Sequence, residues 1–494
     1  MKVDYEKYPE IPQGCLLNYN KYYDSYQVFR QWREIDPTTN KSRNVRETVG
    51  VIKNGSFKFS PTYLLRQEAQ KHKQEADRLR TLVPQADERT SRQASGIEQK
   101  ITSAVKQSKL DLRKGRRTLV PVSAMAMASL LSGLGGETEA VQIADFIRLH
   151  ADFFSKYLPD CGLGEISHGT VRRCFMMAEP KRFRNFYIEI AEKLIKKTRG
   201  RIVAVDGQAV RATGRRSKDM DALHGTRMLM SVYDTTNRVC LAQELIQKKT
   251  NEITVGYRMI ESLALDGSIV TADAMSCQVN FVNSIIEAHA DYVISLKGNQ
   301  DTSWQEVSNL FAAAHRTQLQ TYEDQWDLGR GRIEKRTVEV LPGRLLSAPM
   351  KDKWLGLAEG CIVRIRLQST NKASDVSADG YSYYISSIAP EAGCANFVAQ
   401  AVRAHWGIEN NLHYMLDVFW RQDRMQAQNA NYICNRSALN KLCLAFLENY
   451  RAWLVNTGAF RSFDDVSIKM LQARCRKPEV AVECLAVGLS EYRL

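Results

Sequence analysis

Arg201-Ile-Val-Ala-Val-Asp-Gly-Gln208 is the stretch on which the reading of this chain turns. Ile202 to Val205 form a short apolar run of the kind that makes a strand rather than a helix, and the run closes on Asp206. The pattern recurs at Ser268-Ile-Val-Thr-Ala-Asp-Ala274, where Asp273 ends the run, and a third run follows at Asp291–Lys297. Between them, Arg227–Asp234 and Arg238–Gln247 read as strands joined by a Thr-Thr-Asn turn, and Ile253–Leu265 and Val279–Ala290 read as helices. The order β-β-β-α-β-α-β predicts an α/β fold, a mixed sheet with helices on its faces. Gly207, directly after Asp206, is a position where the backbone can turn sharply.

Outward from this region the texture changes. Residues 1–60, rich in Tyr, Asn, Lys and Arg, read as turns and short strands. Residues 62–113 have helix-forming composition, interrupted by Pro84, with a second helix expected over about 95–112. The basic run Arg113–Arg117 is either a DNA contact or a solvated linker. Residues 118–198 read as helices, one capped by Ser167, and form either a DNA-reading helix-turn-helix or plain helical packing. Apolar and charged residues alternate at Arg332–Val340 and Cys361–Leu367, which predicts an inserted β-rich subdomain over 300–385. Helices resume at Ala392 and run to the end. The expected division is therefore 1–117, 118–199, a core of 200–299 with 386–450, the insert 300–385, and a helical 451–494.

The net charge of +14, from 69 Lys and Arg against 55 Asp and Glu, favours a polyanionic partner. Eleven cysteines without a CxxC pair argue against a zinc site and for reduced thiols in a cytoplasmic protein, here one expected on the bacterial nucleoid. The N-terminus lacks a signal-peptide core. The apolar stretch Leu119–Gly136 holds Pro121 and is short for a membrane span, so a buried helix is expected. No phosphate-binding GxxxxGK[ST] loop and no GxSxG elbow occur.

Asp206 and Asp273 at strand ends and Glu409 in a helical stretch are the acidic set that stands out. Phosphodiester transfer requires charge stabilisation at both the attacking and the leaving oxygen, which two Mg²⁺ ions about 3.5–4 Å apart provide. Hard cations take oxygen ligands, so two aspartates and a glutamate suffice, with Mn²⁺ as the expected substitute. For each aspartate taken singly a turn former or helix cap is the better reading, and the three acidic residues alone are a weak signal. His405, Glu409, His413 and Asp417 recur every four residues and share one helix stripe, which could face metal, phosphate or solvent.

Several motifs occur together and in order: Ile202-Val-Ala-Val-Asp-Gly-Gln208, Lys249-Thr-Asn-Glu-Ile-Thr254, Ile269-Val-Thr-Ala-Asp-Ala-Met275, Asp291–Gln300, Gly331–Arg336 and Arg403-Ala-His-Trp-Gly-Ile-Glu-Asn-Asn-Leu-His-Tyr-Met-Leu-Asp-Val418. Over about residues 118–450 the chain resembles the DDE transposases of bacterial insertion sequences, in the ISAs group with the H-repeat-associated proteins. The resemblance implies an RNase H-like catalytic domain and a metal-dependent endonuclease that cuts and joins DNA, with Asp206, Asp273 and Glu409 as catalytic and metal-binding triad. It also implies a dimer or higher multimer on double-stranded DNA, with no nucleotide cofactor. Expected DNA contacts are Lys297, Asn299, Gln300, Arg332, Lys335, Arg336, Arg403, His405 and His413. The chain departs from the wider class at Val402, His405 and Leu416, where tyrosine, arginine and lysine are usual. A domesticated DNA-binding protein without catalysis, or a nuclease without joining, are the alternatives.

Overall fold

In the computed structural model, residues 2–35, 42–60, 63–64, 67, 87–111, 120–157, 163, 166–195, 199–214, 226–246, 252–324, 327–329, 332–371 and 377–489 are described. They fall into two units, Met1–Gln85 and Ala86–Leu494. Arg113–Arg117, Gly331, Lys249–Asn251 and most of the helix-forming run after residue 64 lie outside the described residues.

The first unit is an antiparallel meander, β1 (Leu16–Asn20), β2 (Ser25–Ile35), β3 (Ser42–Lys53) and β4 (Ser56–Phe59), in that spatial order. Asn54 and Gly55 both have positive φ, the backbone that a two-residue hairpin turn demands. Val28, Val49 and Ile52 pack under Val3, Ile11 and Cys15 to make its core. Two of the four strands have 11 and 12 residues, longer than the short strands expected. Their outer face is polar, and only a bulge at Val28/Phe29 lets the buried set keep its alternation, so the sequence pattern is weak.

The second unit is built on one ten-stranded sheet. Its middle holds β5 (Ile202–Val210), β6 (Arg227–Asp234), β7 (Val239–Ile246), β8 (Ile269–Ala272) and β9 (Asp291–Leu296), in the order β9-β8-β5-β6-β7. β5, β8 and β9 run parallel, whereas β5-β6-β7 are antiparallel. Strand existence and order along the chain agree with the sequence reading. Gly207 does not turn the chain: it stays in β5 and pairs with Met230, and β5 runs on to Val210. The reason is its partner strand, which continues to hydrogen-bond past Asp206.

The segment 300–385 was expected as an inserted subdomain. It instead lengthens the same sheet: β10 (Gln320–Glu323), β11 (Asp327–Gly329), β12 (Arg332–Pro342), β13 (Cys361–Asn371) and β14 (Ser377–Ser386) lie beyond β9. β14 docks antiparallel on β9, pairing Tyr383 with Leu296, and so covers what would be an open parallel edge.

Alternation sends β5 side chains to two cores. Val203 and Val205 join Val270, Ala272 and Ile294 under Val255, Met259, Phe281 and Ile285 of the helices on one face. On the other face Ile269, Val293 and Val363 meet Val398, Ala401 and Val402 of α11 (Cys394–Ile408). Full burial of such a side chain contributes roughly 1.5–3 kcal/mol. Ala204 and Asp206 therefore share the α11 side with Ile202.

The helices before the sheet are α1 (Asp87–Gln107), α2 (Val122–Leu134), α3 (Ala140–Leu149), α4 (Ala151–Tyr157), α5 (His168–Met177) and α6 (Pro180–Ala191). The apolar stretch expected as a buried helix is α2, and Trp420 Nε1 donates to its Gly133 carbonyl at 2.9 Å. A Cβ on Gly133 would meet Cys443 Sγ at 2.6 Å, so the glycine is what lets α2 approach the long helix Ala430–Asn456. Ser167 caps α5 as expected, accepting from the Thr170 amide at 3.3 Å. That helix is fastened inward: Asn435 Nδ2 donates to the Phe175 and Ala178 carbonyls, both at 2.8 Å. The ten described cysteines are free thiols, and no described helix is long and apolar enough to cross a membrane.

Candidate active site

β5 and β8 are parallel neighbours in the register Val205 to Ala272. The next residue along each is acidic: Asp206 within β5, and Asp273 just past the end of β8. Asp206 stays within β5, with Ser231 of β6 as its antiparallel partner. Asp273 leaves the sheet and caps the following turn, its Oδ1 accepting from the Met275 and Ser276 amides at 3.1 and 3.2 Å.

The third carboxylate comes from a helix laid across these strands. α11 runs through a π-helical turn, Glu409–His413, into α12 (Tyr414–Trp420). Such a turn inserts a residue into the helix and is frequent where side chains must be re-aimed at a site. The histidine stripe expected from the spacing faces the sheet. His413 Nδ1 lies 3.5 Å from Asp206 Oδ2, and His405 meets the charge of Asp273 and the Thr271 main chain. Glu409 lies one turn from each histidine, and its side chain is exposed.

Burial disfavours the charged form of both imidazoles. Burial lowers the His405 pKa, opposed in part by Asp273. Burial, with the nearby Lys441 charge, drives His413 down to about 3. A 3.5 Å contact with Asp206 is too long to hold a proton on that ring against burial. His405 Nδ1 and His413 Nε2 are buried with no hydrogen-bond partner among the described residues.

A polar chain supports His413 from behind. Gln208 lies two residues after Asp206 on the same side of β5; its Nε2 donates to Asp417 Oδ1 at 2.9 Å and to the His413 carbonyl at 3.4 Å. Gln422 Nε2 donates to Gln208 Oε1 at 2.7 Å, and Asn440 Nδ2 to Gln422 Oε1 at 3.2 Å. Desolvation and the Asp423 charge raise the pKa of Asp417. Lys441, which sequence reasoning missed, is buried in the long helix Ala430–Asn456, here α13, and donates to Ser231 Oγ at 2.7 Å and Gln243 Oε1 at 2.8 Å. Nothing in its local sequence marks it, since a lysine in a helix is ordinarily a surface residue.

The all-oxygen set Asp206, Asp273 and Glu409 suits a hard divalent cation in kind. Among the described residues, however, no three His, Cys, Asp or Glu side chains stand close enough together to hold a metal ion.

A family model described as the transposase DDE domain matches residues 197–445, from the start of β5 into α13. The chain belongs to the DDE transposase family. "Putative transposase YncI" of Escherichia coli O157:H7 is 27% identical over 390 residues, which cover 76% of this chain and 93% of that protein. The "H repeat-associated putative transposase YhhI" of Escherichia coli strain K12 is 25% identical over 342 residues, 68% of this chain and 86% of its own length. As a transposase, the protein has DNA as its substrate, and domains of this class use divalent metal ions.

The remaining residues expected at the transposase site divide by position. Lys297 is exposed just past the end of β9. Asn299 and Gln300 brace the turn that follows Asp273: Asn299 Nδ2 donates to the Ala274 carbonyl at 2.6 Å and Gln300 Nε2 to the Cys277 carbonyl at 3.0 Å. Lys335, Arg336 and Arg403 make ion pairs with Glu323, Glu334 and Asp324 at 2.6, 2.8 and 2.6 Å. The backbone of Arg332 pairs with Asn371 in the sheet, and its side chain lies outside the described set.

Proposed function

We propose that this transposase binds the terminal inverted repeats of its element, hydrolyses one phosphodiester at each end and joins the freed 3′-OH to target DNA. The sheet order β9-β8-β5-β6-β7, parallel on one side of β5 and antiparallel on the other, supports an RNase H-like core. The observation that carries the reading is that Asp206 and Asp273 follow the paired residues Val205 and Ala272 of neighbouring parallel strands, with His413 beside the first and His405 beside the second on the one helical stretch that also carries Glu409.

Asp206, Asp273 and Glu409 would hold two Mg²⁺ ions, which when bound stabilise charge on the attacking and leaving oxygens. Glu409 opens the π-helical turn, and its side chain is exposed. Burial disfavours the charged forms of His405 and His413, which lie beside Asp273 and Asp206. Asn299 and Gln300 fix the Asp273 turn. Two DNA ends must be processed together, which favours a dimer or larger multimer.

The test is cleavage of a labelled duplex carrying an element end, with Mg²⁺ or Mn²⁺. End-specific cutting and joining by the intact protein, absent in Asp206→Ala, is the expected result. Cutting without joining would make the protein a nuclease, and end binding without cutting under either metal would make it a DNA-binding relative.

A further inference from the structure

The first unit carries a feature that the catalytic reading does not use. β1 pairs with β2 only through residues 25–29, and β4 with β3 only through residues 50–53. Beyond them, among the described residues, Arg30–Ile35 and Ser42–Glu47 pair only with each other, as a two-stranded ribbon extending past the four-stranded part. Six paired residues on each side at about 3.4 Å per residue give it a length of roughly 20 Å.

One face of this ribbon has an unusual composition. Register places Gln31 opposite Arg46 and Arg33 opposite Asn44, and all four side chains are exposed. The face continues onto the four-stranded part through Gln27 and Lys58. No carboxylate occurs among the described side chains of this face. Arg46 stacks its guanidinium over the Phe29 ring at 3.6 Å and donates to Gln27 Oε1 at 3.2 Å, which orients it without neutralising it.

Arginine, glutamine and asparagine are the side chains that read purine edges by paired hydrogen bonds, and the major groove is wide enough for a two-stranded ribbon. Same-face side chains along a strand recur about every 6.8 Å, close to two base-pair steps. Leu16 and Val51 are exposed on the four-stranded part of this face, but within the ribbon its described side chains are Gln31, Arg33, Ser42, Asn44 and Arg46, without the apolar centre of a protein interface. We propose that the ribbon Arg30–Ile35/Ser42–Glu47 enters the major groove of duplex DNA, with Gln31, Arg33, Asn44 and Arg46 toward the base edges. This surface rests on the reading of the chain as a DNA-acting transposase and supplies that reading with its sequence-selecting element.

The experiment uses the full-length protein and a pool of duplex DNA with a randomised core. Wild type is expected to enrich a defined sequence. Gln31→Ala with Asn44→Ala is expected to lose about tenfold or more of the preference for that sequence over random duplex, and Arg33→Glu to lose about 10–100-fold in affinity. Lys21→Glu, an equally exposed cation in the β1–β2 turn, controls for general charge and is expected to stay within about twofold. Arg33→Gln, isosteric enough to spare the ribbon, repeats the test should Arg33→Glu unfold the unit by circular dichroism. Ribbon variants that select the same sequence with wild-type affinity, or a Lys21→Glu loss as large as that of Arg33→Glu, would overturn the inference. Nicking of supercoiled plasmid by the same preparations separates the two readings. Selection that depends on the ribbon without any nicking defeats the catalytic proposal alone, and nicking with ribbon-independent selection defeats this one alone.

Discussion

Both halves of the ten-stranded sheet pair cations with carboxylates, Arg201 with Asp234 and Arg258 with Glu244 in the mixed half, but they differ in the polar atoms left over. In the outer, antiparallel half, cations on the strands meet carboxylates of the same half. Lys335 meets Glu323, Arg336 meets Glu334, Arg364 meets Glu339 and Arg366 meets Asp379. Lys335 holds the Glu323 carboxyl below its usual range, and Arg366 does the same to Asp379. In the mixed half, β7-β6-β5-β8-β9, two buried imidazole nitrogens have no partner and Lys441 has only neutral ones. Buried polar groups ordinarily find partners, so among the described residues the exception in the mixed half is local, at the imidazoles beside Asp206 and Asp273.

The largest effect that would test this contrast is on chemistry. Asp206→Asn or Asp273→Asn is expected to lower end cleavage by about 10³-fold or more while leaving duplex affinity near wild type, since each removes charge and not shape. Cleavage that survives either change would remove the mixed half from catalysis. In the outer half the expected effect is on stability. Arg364 pairs with Glu339 at 2.6 Å, donates to the Phe311 carbonyl at 3.2 Å and stacks on Phe311 and Tyr381. Arg364→Ala should cost about 2 kcal/mol in urea denaturation, with unchanged cleavage per folded molecule.

Lys441 gives a pH test of the mixed half. Burial lowers its pKa from 10.5, so the unfolded chain binds more protons in the window between the folded value and 10.5. Stability should therefore rise with pH through that window, and Lys441→Met should flatten the rise. Urea midpoints at neutral and at alkaline pH measure it, and an unchanged slope would mean that the cation is compensated after all. The smallest effect is expected at Lys335, whose pair with Glu323 is largely solvated. Lys335→Ala should change stability by about 0.5 kcal/mol or less. A clear loss of DNA affinity in that variant would extend the nucleic-acid surface onto the outer half.

Much of the fold was legible because its signals are local. Short apolar runs at Ile202, Ser268 and Asp291 became β5, β8 and β9, and four-residue spacing placed His405 and His413 on one helix face. Other features were not legible because they depend on pairing. β5 continues past Gly207 since β6 is there to bond it, and the insert joins the main sheet since β9 offers an edge. The polar outer face of β2 and β3 gave no apolar alternation from which to read long strands.

Strand runs and helical spacing thus determined the order of elements, and motifs resembling a known family pointed to the chemistry and to the candidate acidic residues, because each is a property of neighbours along the chain. Only the tertiary structure decided which cations are already spent on carboxylates, which buried nitrogens are left without partners, and that Lys441 lies beneath Ser231, the strand partner of Asp206. Those outcomes depend on residues as far apart as Ser231 and Lys441, and burial and pairing are settled only when such residues meet.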